Sequence, residues 1–224
     1  VPITNKAYEL LHEGVITLSQ IEANGMCVDK EQLQKQISKT SNKIKYLYKK
    51  LRKDEIYQVW KKTFGSKTNL GSHSQLGKIL FGVLKYKCAI FTKTGKPKTD
   101  INVLESMDIP FIQNYLLIEK LKKANATYLK GILKECVSGK IHPVFNLHLA
   151  QTYRSSSDSP NFQNIPIRNP ETSQIIRECF IARPNHRIVE IDYSGIEVHA
   201  ACWYHKDPVM IDYICNPEKD MHRD

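Results

Sequence analysis

The stretch from Asp29 to Lys53 constrains this chain more than any other. Leu33, Ile37, Ile44, Leu47 and Leu51 fall on one stripe with a period near 3.5, and the other faces are mostly Lys, Gln and Ser. That pattern predicts a long helix with a single apolar seam, weakest at Thr40-Ser41, where the apolar step is missing. A helix of this kind needs a partner for its seam. Residues 111–136 offer one, with Tyr115, Ile118, Leu121 and Leu129 as the matching stripe. The expected unit is an antiparallel helix pair.

Shorter signals surround it. Ala7, Leu10, Leu11, Val15, Leu18 and Ile21 predict a helix over residues 3–24, interrupted at Gly14. Residues 24–29, NGMCVD, read as a turn, a short extended piece and an Asp N-cap. Residues 63–105 are rich in Gly, Ser, Thr and Lys. Within them, 68–81 predicts a polar loop capped by Ser72 or Ser74 and then a short helix, and 91–100 a basic loop of turn formers. Backbone N–H, Ser, Thr and Lys all donate, which suits phosphate contact.

Charge divides along the chain. Residues 1–140 hold 25 Lys and Arg against 12 Asp and Glu, whereas residues 141–224 hold 8 against 11. The first part is a basic body suited to a polyanion; a lysine-rich solvated surface is the plainer reading. Cys27, Cys88, Cys136, Cys179, Cys202 and Cys215 form no C-x-x-C pair, so they read as reduced thiols without a zinc site. No stretch approaches a membrane span and the start has no signal-peptide pattern, so a cytoplasmic protein with no membrane partner is expected.

The second part changes period. Residues 140–150 alternate closely enough for a strand, 153–170 hold three prolines and few apolar residues, and 187–194 read as a buried strand. Residues 195–206 read as a helix, and Asp207-Pro208 starts another that runs through Ile214. The loop 152–168 carries Arg154, three serines, Asn161, Gln163, Asn164 and Arg168. Such donors match phosphates and base edges, and equally bond to one another in Asx and Ser turns. Asp192 at a strand end either holds Mg²⁺ or caps the following helix. Glu190 shares its face in an acid-x-acid pattern. Glu197, in an apolar helix turn, is either a buried, paired acid or a selector in a pocket. His199 and His205 read as ordinary helix residues, and Asp220, His222 and Asp224 lie at the chain end.

Two of these segments resemble motifs of family A DNA polymerases, the DNA polymerase I type. DYSGIEVHAA (192–201) is similar to the family's metal-binding motif, Asp-Tyr-Ser-Gln-Ile-Glu-Leu-Arg. TYRSSSDSPNFQNIPIR (152–168) is similar to its Thr-Gly-Arg-Leu-Ser-Ser-Ser-Asp-Pro-Asn-Leu-Gln-Asn-Ile-Pro-Val-Arg segment. The spacing between them fits. GMCVD (25–29), NLGSHSQLGKILF (69–81), KTGKPKTDINVLE (93–105) and GKIHPVFN (139–146) resemble thumb and early palm segments in the right order.

The resemblance implies an α+β fold: a helical thumb over 1–138, then the N-terminal half of a palm over 139–224 with a small antiparallel sheet and flanking helices. It implies DNA-directed DNA polymerase activity in the parent enzyme, in replication or repair, on primer-template DNA and deoxynucleoside triphosphates. Asp192, helped by the Tyr193 carbonyl, would belong to the site of two Mg²⁺ ions. Ser194, Gly195, Ile196 and Glu197 would face the nucleotide, with Glu197 as the steric gate against a ribose 2′-hydroxyl. Arg154 would reach the minor groove at the primer end. Ser156, Asn161, Gln163, Asn164 and Arg168 would hold primer and template. Asn69, Ser72, Thr127 and Tyr128 would follow the duplex backbone.

Departures from the pattern bear on individual contacts, though not on the resemblance. Gly195 stands for Gln and His199 for Arg. Tyr153 replaces the Gly before Arg154, and Ser155 the Leu after it. Gly71 replaces an Asn, and Asn125 a Lys. The family's fingers helix and its second catalytic aspartate would follow residue 224, so the chain alone is expected to be inactive, with its Mg²⁺ site empty and Asp192 capping its helix. A DNA-binding subunit, or a split-polymerase half with a complementary chain, is the alternative. A metal-dependent transferase with an incidental acid-x-acid strand is the third reading. The source would be a bacterium, a phage-infected cell or an organelle. Duplex binding is expected to weaken steeply with salt, the logarithm of affinity falling by about 0.9 per contacted phosphate for each tenfold rise in salt. A titration from low to physiological salt checks this, and a flat response counts against the thumb reading.

Overall fold

Local capping chemistry sets where the first elements begin. The computed structural model describes residues 4–88, 90–92, 95, 97–167, 169–193, 195–216 and 218–219. The Thr4 hydroxyl accepts from the Ala7 N–H at 3.2 Å and opens helix α1, Asn5–Asn24. The expected break at Gly14 does not occur. Helix hydrogen bonds need no side chain, and a Cβ at Gly14 would stand 2.9 Å from Leu147 Cδ1. The glycine admits a close neighbour and does not end the helix. Gly25 ends it, with φ 63° and ψ 175° and its N–H on the Ile21 carbonyl at 3.0 Å. Strand β1, Met26–Cys27, follows. The Asp29 carboxylate then accepts from the Gln32 N–H at 2.8 Å to start α2, Lys30–Lys53.

Asp54 follows α2 and caps α3, Glu55–Phe64. Ser72 caps α4, His73–Gly77, which runs into a π-helical turn, Lys78–Val83. After α5, Ile101–Glu105, a second helical rod forms from α6, Pro110–Lys123, a π-helical segment, Ala124–Leu129, and α7, Lys130–Glu135. Pro110 fits its first turn, where no intrahelical N–H bond is lost.

Two apolar clusters fix how α2 and this rod pack. Leu47 and Leu51 of α2 join Trp60, Leu76, Leu80, Phe111, Ile112 and Tyr115. Leu33, near the other end of α2, joins Leu129, Ile132, Ile141, Ile176 and Cys179. The end of α2 therefore meets the start of the rod and its start meets the rod's end, so the pair is antiparallel as expected. The weak step of the seam is met by a polar partner: Asn125 Nδ2 donates to Ser41 Oγ at 2.9 Å, beside buried Thr40. Burial pushes the Cys179 thiol up to about 11, so it stays a neutral packing group.

The strand expected over 140–150 is divided. Lys140–Ile141, β2, pairs antiparallel with β1; Val144–Asn146, β3, pairs antiparallel with β4, Ser156–Asp158. Pro143 lies between them and has no N–H to give a ladder. Helix α8, Pro170–Arg177, is capped by Asn169, whose Oδ1 accepts from the Thr172 N–H at 3.0 Å. The result is an α+β fold, mostly helical, with small antiparallel sheets.

By contacts the chain divides after Arg183 into two compact units. The second contains α9, Ile196–His205, and α10, Pro208–Cys215. Asp207 caps α10, with Oδ1 accepting from Val209 N at 2.9 Å and Met210 N at 3.0 Å. The expected buried strand at 187–194 is not formed over its described residues. Val189 and Ile191 are 75% and 85% exposed. A strand needs a hydrogen-bonded neighbour, and this segment has none among the described residues. None of the described helices is long and apolar enough to cross a membrane.

Gly25 combines a backbone conformation that only glycine adopts readily with a would-be Cβ contact of 2.8 Å to the Ile141 carbonyl. Gly25→Ala is expected to destabilise the fold by about 1–3 kcal/mol, measured by urea unfolding.

Candidate nucleic-acid interface

The hairpin β3–β4 sends the chain into 159–165, whose side chains separate by polarity. Phe162 and Ile165 turn into the apolar cluster that holds Leu129 and Ile176. The Phe162 ring meets Phe180 edge to face, with centroids 5.5 Å apart. Arg154, Ser155, Ser156, Ser157, Asn161, Gln163 and Asn164 instead line an open cavity of about 420 Å³. The sequence proposed five of these seven residues. Arg168 and Ser194 lie outside the described residues.

The cavity wall is held by its own hydrogen bonds. Ser157 Oγ, 4% exposed, accepts from the N–H groups of Phe162 at 3.0 Å and Gln163 at 3.1 Å. Gln163 Nε2 donates to Ser155 Oγ at 2.7 Å, and Asn161 Oδ1 accepts from the Asn164 N–H at 3.2 Å. Asn146 Nδ2 joins Asp158 Oδ2 at 2.8 Å across the hairpin. Ser156 Oγ is buried at the wall with no hydrogen-bond partner among the described residues. The loop is therefore self-bonded and donor-lined at once, so the two readings of its composition coexist.

Ser157 is the organising residue that sequence reasoning passed over. The signal was strand parity: on β4, Ser157 points opposite to Ser156 and Asp158, and of the three it alone is buried as a whole residue.

The helical candidates fall at both ends of the pair. Thr127 is exposed on the π-helical segment. Tyr128, next to it, is 8% exposed, and its hydroxyl donates to the Asn164 carbonyl at 2.6 Å. Asn69 and Ser72 lie at the other end, near the cluster around Leu76. Asn69 Oδ1 accepts from the Gly71 N–H at 2.9 Å, and Ser72 Oγ from the Gln75 N–H at 3.3 Å.

In the second unit, Asp192, Tyr193, Gly195, Ile196 and Glu197 follow one another at the entry to α9, all exposed. The expected Asp192 cap is not made. Gly195 begins the helix at φ 59° and ψ 33°, without a side-chain cap bond. Nor is Glu197 a buried acid: it is exposed in the first turn, where the positive end of the helix dipole favours a carboxylate. The Asp192 carboxylate and the Tyr193 carbonyl are hard oxygen donors of the type Mg²⁺ takes. Among the described residues no group of three or more His, Cys, Asp or Glu converges.

The chain thus holds a helical body, a donor-lined groove on a short hairpin, and an acid at a turn before a helix. The family model for DNA polymerase family A matches residues 31–224. DNA polymerase I of Rhizobium leguminosarum is 34% identical over 85% of this chain and 18% of its own length. That of Geobacillus stearothermophilus is 33% identical over 87% of this chain and 22% of its own. The POL domain of Pol1 from M. smegmatis, in complex with a DNA primer-template and dNTP, superposes with a TM-score of 0.71 at 32% identity. The match covers 92% of this chain and 35% of that one. The chain belongs to DNA polymerase family A, and it spans about a fifth of the length of these curated relatives. Family A DNA polymerases generally use divalent metal ions.

Ser157→Ala would leave two backbone N–H groups without their acceptor. A loss of about 1–3 kcal/mol is expected, read by urea unfolding, with faster amide exchange at Phe162 and Gln163.

Proposed function

We propose that the chain forms the thumb (1–138) and N-terminal palm (139–224) of a DNA-directed DNA polymerase, which adds deoxynucleotides to a primer 3′ end under template direction. The division is one of role; by contacts the chain separates later, after Arg183. The observation that carries the reading is the Arg154–Asn164 groove. Its wall is held by Ser157 and Asn161, while Arg154, Ser156, Gln163 and Asn164 line the space. Fixed donors of this kind bind phosphate and base edges with little ordering cost. The groove coincides with the segment that resembles the family's primer-binding motif.

The remaining roles follow residue by residue. Arg154 reaches the primer end, and Ser156, Asn161, Gln163, Asn164 and Arg168 hold the strands. Asn69, Ser72 and Thr127 track the duplex backbone from the basic body. Asp192 and the Tyr193 carbonyl would hold Mg²⁺, which when bound supplies charge stabilisation at the transferring phosphoryl group. Ser194, Gly195 and Ile196 border the nucleotide. Glu197, exposed at the start of α9, excludes a ribose 2′-hydroxyl by occupying its place. The backbone of 187–192 would pair with neighbouring strands of a palm sheet, and the exposed Ile188, Val189 and Ile191 would lie on the faces of that sheet.

The test is binding and extension with the 224-residue chain. It is expected to bind a primer-template duplex at low salt and to leave the primer unextended with dNTPs and Mg²⁺. Absence of duplex binding would overturn the DNA-binding role. Template-dependent extension would show that Asp192 needs no second carboxylate from outside the chain.

A further inference from the structure

We infer that Tyr128 is a positioning residue: its hydroxyl ties the π-helical segment of the thumb to the groove wall and holds the DNA-binding loop in its binding shape. The inference rests on the proposed DNA-binding role of the groove and changes the part that Tyr128 plays in it. The resemblance places Tyr128 beside Thr127 as a residue that follows the duplex backbone. The structure gives the two different surroundings. Thr127 is exposed, whereas Tyr128 is 8% exposed and packs in the cluster with Leu129, Ile132 and Phe162. Its donor is already used on the Asn164 carbonyl at 2.6 Å. A phenol has one O–H to donate, so this bond and a phosphate bond compete.

The π-helical segment carries two polar cross-links on its buried side. Positions three and four apart share a helical face. Ala124 and Tyr128, and likewise Asn125 and Leu129, are the buried residues of this segment. Asn125 uses that burial to donate to Ser41 on α2 at 2.9 Å. Tyr128 uses it to reach the loop, 36 residues further along the chain. The segment is thereby anchored on one side to the long helix and on the other to the groove wall.

Besides the bonds of Asn161 and Gln163 within the loop, three contacts tie it to its surroundings, and each does something different. Phe162 and Ile165 give it apolar anchorage. Ser157 fixes the backbone at Phe162 and Gln163 from the hairpin side. Tyr128 fixes the backbone at Asn164 from the helical side. Only the last crosses from the thumb to the groove by a hydrogen bond with direction. Its removal is expected to loosen Asn164 and the neighbouring Gln163, both of which line the cavity.

Tyr128→Phe removes the hydroxyl and keeps the ring, so packing and fold are retained. In the 224-residue chain, the variant is expected to show faster amide exchange confined to residues 161–165, with the same melting temperature within a few degrees. Its affinity for a primer-template duplex should fall by about three- to tenfold, the range one hydrogen bond spans. The salt slope should stay unchanged, because no charge contact is lost. Wild-type exchange in the loop, or wild-type affinity, overturns the inference. So does faster exchange spread through α2 and α6 with a lower melting temperature, which would mean a general packing role. A wild-type chain that binds no duplex overturns the proposed function instead, and the exchange measurement still decides whether Tyr128 holds the loop.

Discussion

The antiparallel packing of α2 against the rod of α6, the π-helical segment and α7 is the contact on which the first unit depends. It brings together two apolar clusters, one at each end of the pair. The first carries the tip elements through Leu76 and Leu80. The second receives β2 through Ile141, α8 through Ile176 and the groove loop through Phe162. Segments far apart in sequence are therefore mounted on a common frame. Burial of this kind supplies the driving force, while the polar step at Thr40, Ser41 and Asn125 helps specify how the two helices meet.

The groove illustrates how a loop without regular structure becomes a defined surface. Residues 153–170 are poor in apolar side chains, yet Phe162 and Ile165 suffice to anchor them. Ser157 and Tyr128 then satisfy backbone groups that a strand or helix would otherwise have paired. Ordering these donors before a ligand arrives lowers the entropy lost on binding. The second unit is different in kind. Its apolar residues Ile188, Val189 and Ile191 and its aromatic residues Trp203 and Tyr204 are exposed, so they are not covered by its own 41 residues.

Much of this was legible along the chain. The 3.5 period of Leu33–Leu51 predicted α2, and the Tyr115–Leu129 stripe predicted its partner. Asp29, Ser72 and Asp207 were readable as caps because N-capping is decided within three residues. Most of the groove was readable too, from the motif at 152–168. The break expected at Gly14 and the cap expected from Asp192 were misjudged, and the two readings of Glu197 stayed open along the chain, for one shared reason. A glycine's tolerance, a carboxylate's partner and an acid's burial depend on neighbours that local spacing does not reveal.

What the sequence determined by itself was the set of local elements, the charge division and the family motifs, because periodicity, capping and motif spacing are short-range properties. Only the tertiary structure decided that Ser157 organises the groove and that Tyr128 is turned inward onto Asn164. It alone also showed that 187–193 has no strand neighbours among the described residues. Each of these depends on which groups meet across long stretches of chain, and hydrogen bonds and burial are settled by that meeting rather than by the residue's own identity.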